Sequence, residues 1–81
     1  MRLAILDLKK AVWQGMVKRV NLPAVSGEMC VLDFHQPFVV RLGKGKITFS
    51  GESLAKHPAS IPIKDGIAFM RSNSLTVFAQ V

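Results

Sequence analysis

The chain holds one cysteine, no tyrosine, one tryptophan and five acidic residues among its 81. The lone Cys30 excludes an internal disulfide framework and fits a reducing compartment. One cysteine and two widely separated histidines supply no ligand quartet for a structural zinc. Five phenylalanines and one tryptophan form no aromatic run on any one strand. The stacking platforms of single-strand nucleic-acid binders are therefore missing. Long apolar runs are missing too: Met1-Arg2-Leu3-Ala4-Ile5-Leu6-Asp7 is interrupted after six residues at most. A signal peptide needs about 7–15 apolar residues and a spanning helix about 20. The chain reads as soluble and cytoplasmic, or as lying on the inner side of a membrane.

What is present is apolar and basic. Hydrophobic residues make up 49% and charged ones 20%, which supports a packed core and argues against disorder. Net charge is +6, and the isoelectric point is near 10.1. That balance suits an acidic partner, whether nucleic acid, anionic lipid or an acidic protein face. The cations are nevertheless scattered, from Lys9-Lys10 and Lys18-Arg19 through Arg41, Lys44 and Lys46 to Lys56, Lys64 and Arg71. Scattered lysine is the ordinary composition of a solvated face.

No repeats, low-complexity tracts or linkers interrupt the chain, and residues 1–81 read as one domain. Turn formers recur at short intervals, at Gly15, Pro23, Ser26-Gly27, Pro37, Gly43, Gly45, Gly51, Pro58, Pro62, Asp65-Gly66 and Ser72-Asn73-Ser74. The segments between them are too short for most helices and rich in Val, Ile and Phe. Several alternate: Leu75, Val77 and Ala79 share one face, with Thr76, Phe78 and Gln80 on the other. Ile67 and Phe69, Leu3 and Ile5, and Ile61 and Ile63 pair likewise. Strands are expected over 2–7, 11–14, 16–23, 28–32, 38–42, 45–50, 60–63, 66–71 and 74–80. Asp65-Gly66 and Ser72-Asn73 serve as tight turns between the last of them. Residues 52–60 read as a loop or poor edge strand, because Pro58 limits any helical turn. The expected fold is all-β, a sandwich or flattened barrel of about nine or ten short strands.

The densest pattern is Gly27-Glu28-Met29-Cys30-Val31-Leu32-Asp33-Phe34-His35-Gln36-Pro37-Phe38-Val39: a Gly-Glu turn, an apolar strand, a His-x-Pro corner and a second apolar strand. It resembles the signature of the F-type ATP synthase epsilon subunit, in which Gly-Glu, an apolar strand and His-Ala-Pro follow in that order. The likeness continues along the chain. Arg2 to Leu6 resembles the family's first strand, and Gln14-Gly15 with Val17 to Val20 its second turn and following strand. Leu42-Gly43-Lys44-Gly45-Lys46-Ile47 resembles a Pro-Gly turn, and Ile63 to Ala68 a Gly-Gly turn region. Ser74-Leu75-Thr76-Val77-Phe78-Ala79 resembles the closing strand. Departures are Cys30 where the family has Gly, Asp33-Phe34 where it has Pro-Gly, Gln36 within the His-x-Pro corner, Lys44 in place of proline, and a basic overall charge. The family usually continues into two C-terminal helices, whereas this sequence stops after its last strand.

The resemblance implies a ten-stranded β-sandwich with its first strand near its last. It also implies a non-catalytic rotor subunit without cofactor, clamping the gamma subunit to the polar loops of the membrane c-ring. That role is peripheral, on the cytoplasmic face of the bacterial inner membrane; the isolated chain would be a monomer. Without the helical pair it would couple without inhibiting. Glu28 and His35 would meet the c-ring, and Met29, Phe34, Phe38 and Val39 the gamma subunit. Each has a plainer reading. Glu28 is a solvated turn carboxylate, His35 holds the corner through a backbone carbonyl, and the apolar four fill the core. Asp33 would share the proton of His35 or cap the turn.

Other chemistry is weak. A Cys30–His35–Asp33 nucleophile fails because Cys30 is expected to point into the core from an apolar strand, where thiols are inert. Ser53-Leu54-Ala55-Lys56 has Ser-x-x-Lys spacing but no large helical domain around it. Gly43-Lys44-Gly45-Lys46 lacks the phosphate-loop spacing. The rival function is a basic OB or cold-shock module for single-stranded nucleic acid, which fits the charge and β content and lacks the aromatics.

Overall fold

The computed structural model describes residues 1–51 and 59–81. They form β1 Arg2–Leu6, β2 Ala11–Met16, β3 Arg19–Ala24, β4 Gly27–Leu32, β5 Phe38–Leu42, β6 Gly45–Ser50, β7 Ala59–Ile63, β8 Asp65–Arg71 and β9 Ser74–Gln80. The described strands thus number nine, against the ten implied by resemblance. The Ser-x-x-Lys spacing and the expected loop over 52–58 lie outside the described residues, while Ala59 and Ser60 open β7. Among the described residues no helix is long and apolar enough to cross a membrane.

The strands hydrogen-bond in the order β2-β1-β9-β8-β5-β3-β6-β7, with β4 on the other side of β3. The link between β5 and β3 is one residue pair, Ala24 with Leu42. At that hinge the sheet folds over itself, so β2-β1-β9-β8-β5 faces β4-β3-β6-β7. The first strand lies parallel to the last, Leu3 beside Leu75 and Ile5 beside Val77. A β-sandwich therefore stands as expected.

Alternation explains the core. Where a strand alternates, every second side chain points inward, and the deepest of these include Leu3, Ile5, Val20, Leu22, Val31, Leu42, Ile47, Phe49, Leu75 and Val77, all at most 1% exposed. Each such side chain contributes about 1.5–3 kcal/mol of burial. Trp13 of β2 closes one side, its ring centroid 4.4 Å from that of Phe49 on β6.

Three local expectations are corrected. Gly15 is no turn but lies inside β2, opposite Leu3, and a Cβ there would stand 2.6 Å from the Trp13 indole. Its glycine makes room for that ring, and the chain breaks at Val17-Lys18 instead. Gly66 lies inside β8 between Leu42 and Ala79, and a Cβ would stand 2.7 Å from the Phe78 carbonyl oxygen. The bend before it is at Lys64, whose N–H donates to the Gln80 carbonyl at 2.7 Å, and Asp65 already opens β8. Cys30 is exposed, not buried, because Val31 takes the inward position and its neighbour must face out. Ser72-Asn73 is the turn expected, with φ of 52° and 55° as a two-residue hairpin loop requires.

Candidate docking surfaces

The residues after β4 make a corner held from three directions. The His35 N–H donates to the Leu32 carbonyl at 3.2 Å, which closes a four-residue turn centred on Asp33-Phe34. Phe34 has φ of 62° and Asp33 is not left-handed, so the turn is of type II, which takes glycine at its third position. The Phe34 N–H donates to Asn73 Oδ1 at 2.8 Å, which ties the corner to the β8–β9 turn. Asp33 Oδ1 accepts from the buried α-ammonium of Met1, which also donates to the Val17 carbonyl at 2.7 Å. Asp33 therefore does not share the proton of His35; its carboxylate is committed to the chain terminus. The histidine donates Nδ1–H to the Gln36 carbonyl at 2.9 Å and sets its ring edge-on to Phe38, centroids 5.2 Å apart. The plainer reading of His35 is thus present, on an exposed side chain.

The Cys-His-Asp arrangement fails, for a reason other than the one expected. Cys30 is exposed, but Asp33 and His35 are each bonded elsewhere. Among the described residues no group of three His, Cys, Asp or Glu side chains could hold a metal ion.

Glu28 lies at the other end of β4, opposite Pro23. It follows Gly27, whose φ of 134° turns the chain from β3. Two backbone bonds lock this turn to the next one: Val25 N–H to the Arg41 carbonyl at 3.0 Å, and Gly43 N–H to the Pro23 carbonyl at 2.8 Å. Exposed Glu28 lines a shallow recess with Lys44 and Lys46, so the lysine-glycine turn forms its basic rim. Extended chain rises about 3.3 Å per residue, which puts roughly 15 Å or more of strand between Glu28 and the corner. The structure does not bring Glu28 and His35 together.

The four apolar candidates divide in two. Met29 and Phe38 are half-buried and pack on the core. Phe34 is 81% and Val39 72% exposed. Val39 belongs to the outward row of β5, beside Phe69 of β8 and Thr76 of β9. Phe69 stacks on Phe78, centroids 6.1 Å apart, and Ile67 pairs with Phe78 on the same outward face. This face passes into an open cleft of about 1110 Å³ whose walls include Leu6, Leu8, Arg41, Ile67, Phe78 and Val81. From the sequence only Val39 of this outer face was singled out, although the alternation in β9 had already turned Phe78 away from Leu75, Val77 and Ala79. Charge at the cleft is weakly paired: Arg41 Nε and Asp65 Oδ1 are 4.0 Å apart, both well exposed. At the β1–β2 turn the backbone N–H groups of Lys9 and Lys10 donate to Asp7 Oδ1 at 2.8 and 3.0 Å, and hold its carboxyl below the usual 3.8.

The folded sheet carries Glu28 at one end of β4 and the Asp33–His35 corner beyond the other. The β-sandwich domain of ATP synthase delta/epsilon chains matches residues 1–81, and the chain belongs to that family. The chloroplastic ATP synthase epsilon chain of Chlamydomonas reinhardtii is 28% identical over 82 residues, covering 98% of this chain and 58% of that protein. The ATP synthase epsilon chain of Synechococcus sp. is 31% identical over 70 residues, covering 84% of this chain and 47% of that one. The chain spans about half the length of the curated relatives it matches. Among solved structures, a chain of the Euglena gracilis mitochondrial ATP synthase (OSCP/F1/c-ring) superposes with a TM-score of 0.85 at 20% identity, over 95% of this chain and 48% of that one. A chain of the Tetrahymena thermophila mitochondrial ATP synthase central stalk and c-ring gives 0.81 at 12% identity, over 100% and 63%. These likenesses show the same fold.

Proposed function

We propose that residues 1–81 act as one non-catalytic domain of a central-stalk subunit, coupling the gamma subunit to the c-ring of a proton-translocating F-type ATP synthase. The carrying observation is the separation of Glu28 from the Asp33–His35 corner along β4, which lets one small body touch two partners at once. The Glu28 end meets the polar loops of the ring, where its carboxylate accepts a charge-assisted hydrogen bond from an arginine. Phe34 and Val39 meet gamma, with Met29 and Phe38 supporting them from the core side. Close packing suits the task, because dense interiors deform little under load. The domain sits peripherally at the membrane, in a bacterial cell on its cytoplasmic face.

The test separates the two contacts in the assembled enzyme. Glu28→Gln is expected to lower c-ring co-purification and proton-driven coupling while gamma binding persists. Val39→Asp is expected to weaken gamma binding while the ring contact persists. Both variants assembling and pumping like wild type would remove this reading.

A further inference from the structure

Phe34 combines two features that stability alone does not explain. Its backbone is left-handed, with φ of 62°, which residues other than Gly, Asn and Asp rarely adopt. Its side chain is 81% exposed, so burial does not compensate that strain. The surroundings impose the conformation: Asn73 holds its N–H, the turn closes at His35, and Asp33 is fixed to Met1. A backbone held against its preference at an exposed aromatic points to a contact made by that side chain.

The neighbourhood describes what receives it. Leu32, 55% exposed, precedes the turn, and Arg19 pairs with Leu32 across the β3–β4 ladder. Arg71 pairs with Ser74 at the turn that carries Asn73, and the Arg2 N–H donates to the Asn73 carbonyl at 3.1 Å. Arg2, Arg19 and Arg71 are all exposed. The acid within the turn, Asp33, is already taken by the chain's own ammonium. The corner thus presents an aromatic tip, an aliphatic shoulder and a cationic surround.

We propose that Phe34 is the anchor of this corner and inserts into an apolar pocket bordered by carboxylates on the gamma subunit. The proposal rests on the reading that the corner faces gamma. The strained turn then has a use, because it aims the ring outward before binding, and rigid aromatic anchors dominate protein interfaces.

The test uses the full-length protein and purified gamma subunit of the same enzyme, with binding and thermal midpoint measured on each variant. Phe34→Asn, which tolerates the left-handed backbone, is expected to raise the midpoint and weaken gamma binding by at least about tenfold. Phe34→Trp is expected to keep binding within about threefold of wild type. Arg71→Glu is expected to weaken it and reduce its salt dependence. Equal gamma binding by wild type and Phe34→Asn, or a lower midpoint for Phe34→Asn, overturns the anchor while leaving the coupling reading intact. Failure of wild type itself to bind gamma overturns that reading and the anchor with it.

Discussion

The α-ammonium of Met1 and the carboxylate of Asp33, 32 residues apart in sequence, form an ion pair that joins the start of β1 to the corner after β4. The Met1 side chain is fully buried and that of Asp33 36% exposed, so the pair is only partly desolvated. It fixes the same turn whose next residue is the strained Phe34.

Replacing that carboxylate leaves a buried cation with the Val17 carbonyl as its remaining acceptor. Asp33→Ala is expected to cost about 1–3 kcal/mol. For a domain of this size each kcal/mol moves the melting midpoint by roughly 4–8 °C. Thermal melts of wild type and variant at neutral pH decide it; an unchanged midpoint would mean that the pair contributes nothing.

Gly66 and Gly43 should behave oppositely. A methyl group at Gly66 meets backbone, 2.7 Å from the Phe78 carbonyl oxygen and 3.1 Å from Ala79 Cα, where neither neighbour yields cheaply. Gly66→Ala is expected to destabilise by about 1–3 kcal/mol. At Gly43 the nearest atom lies 4.0 Å away, so Gly43→Ala should stay within about 0.5 kcal/mol. Denaturant titration of the pair reads the difference.

Phe38 and Val39 are neighbours with different duties. Phe38 packs on the core, and Phe38→Ala should cost about 2–3 kcal/mol. Val39 faces outward, 72% exposed, and Val39→Ser should change stability by less than about 0.5 kcal/mol. Comparable losses in chemical denaturation would contradict the inward and outward assignment.

Asp7 gives a pH signature. Its folded carboxyl lies below the usual 3.8 because the Lys9 and Lys10 N–H groups donate to the charged form. A depressed folded value adds stability above the unfolded one, and that increment disappears as pH falls through the folded value. Wild type should therefore exceed Asp7→Asn in stability at neutral pH, and the gap should close on acidification. Melting midpoints across an acid titration test this, and a gap that widens in acid would reverse the assignment.

The strands were legible because alternation is a local property: Leu75, Val77 and Ala79 face inward whatever lies across from them. The corner was legible as a pattern, from Gly27-Glu28 through His35-Gln36-Pro37, since turn chemistry is written in adjacent residues. Glycine was the weak point. Gly15 and Gly66 read as turns, yet each makes room for a neighbour, the Trp13 ring two residues earlier in β2 or the Phe78–Ala79 backbone of β9. A sequence shows that a residue lacks a side chain and does not show what fills the space.

The chain by itself determined an all-β fold, its basic charge and its family pattern, because period, turn residues and composition act over a few neighbours. Tertiary structure alone decided that Asp33 serves Met1, that Cys30 faces out, and that Glu28 and His35 part company along β4. It also decided that Phe34 stands exposed in a backbone made for glycine. Those outcomes depend on register and on contacts across tens of residues, where closing the fold, and not local preference, selects each side chain's partner.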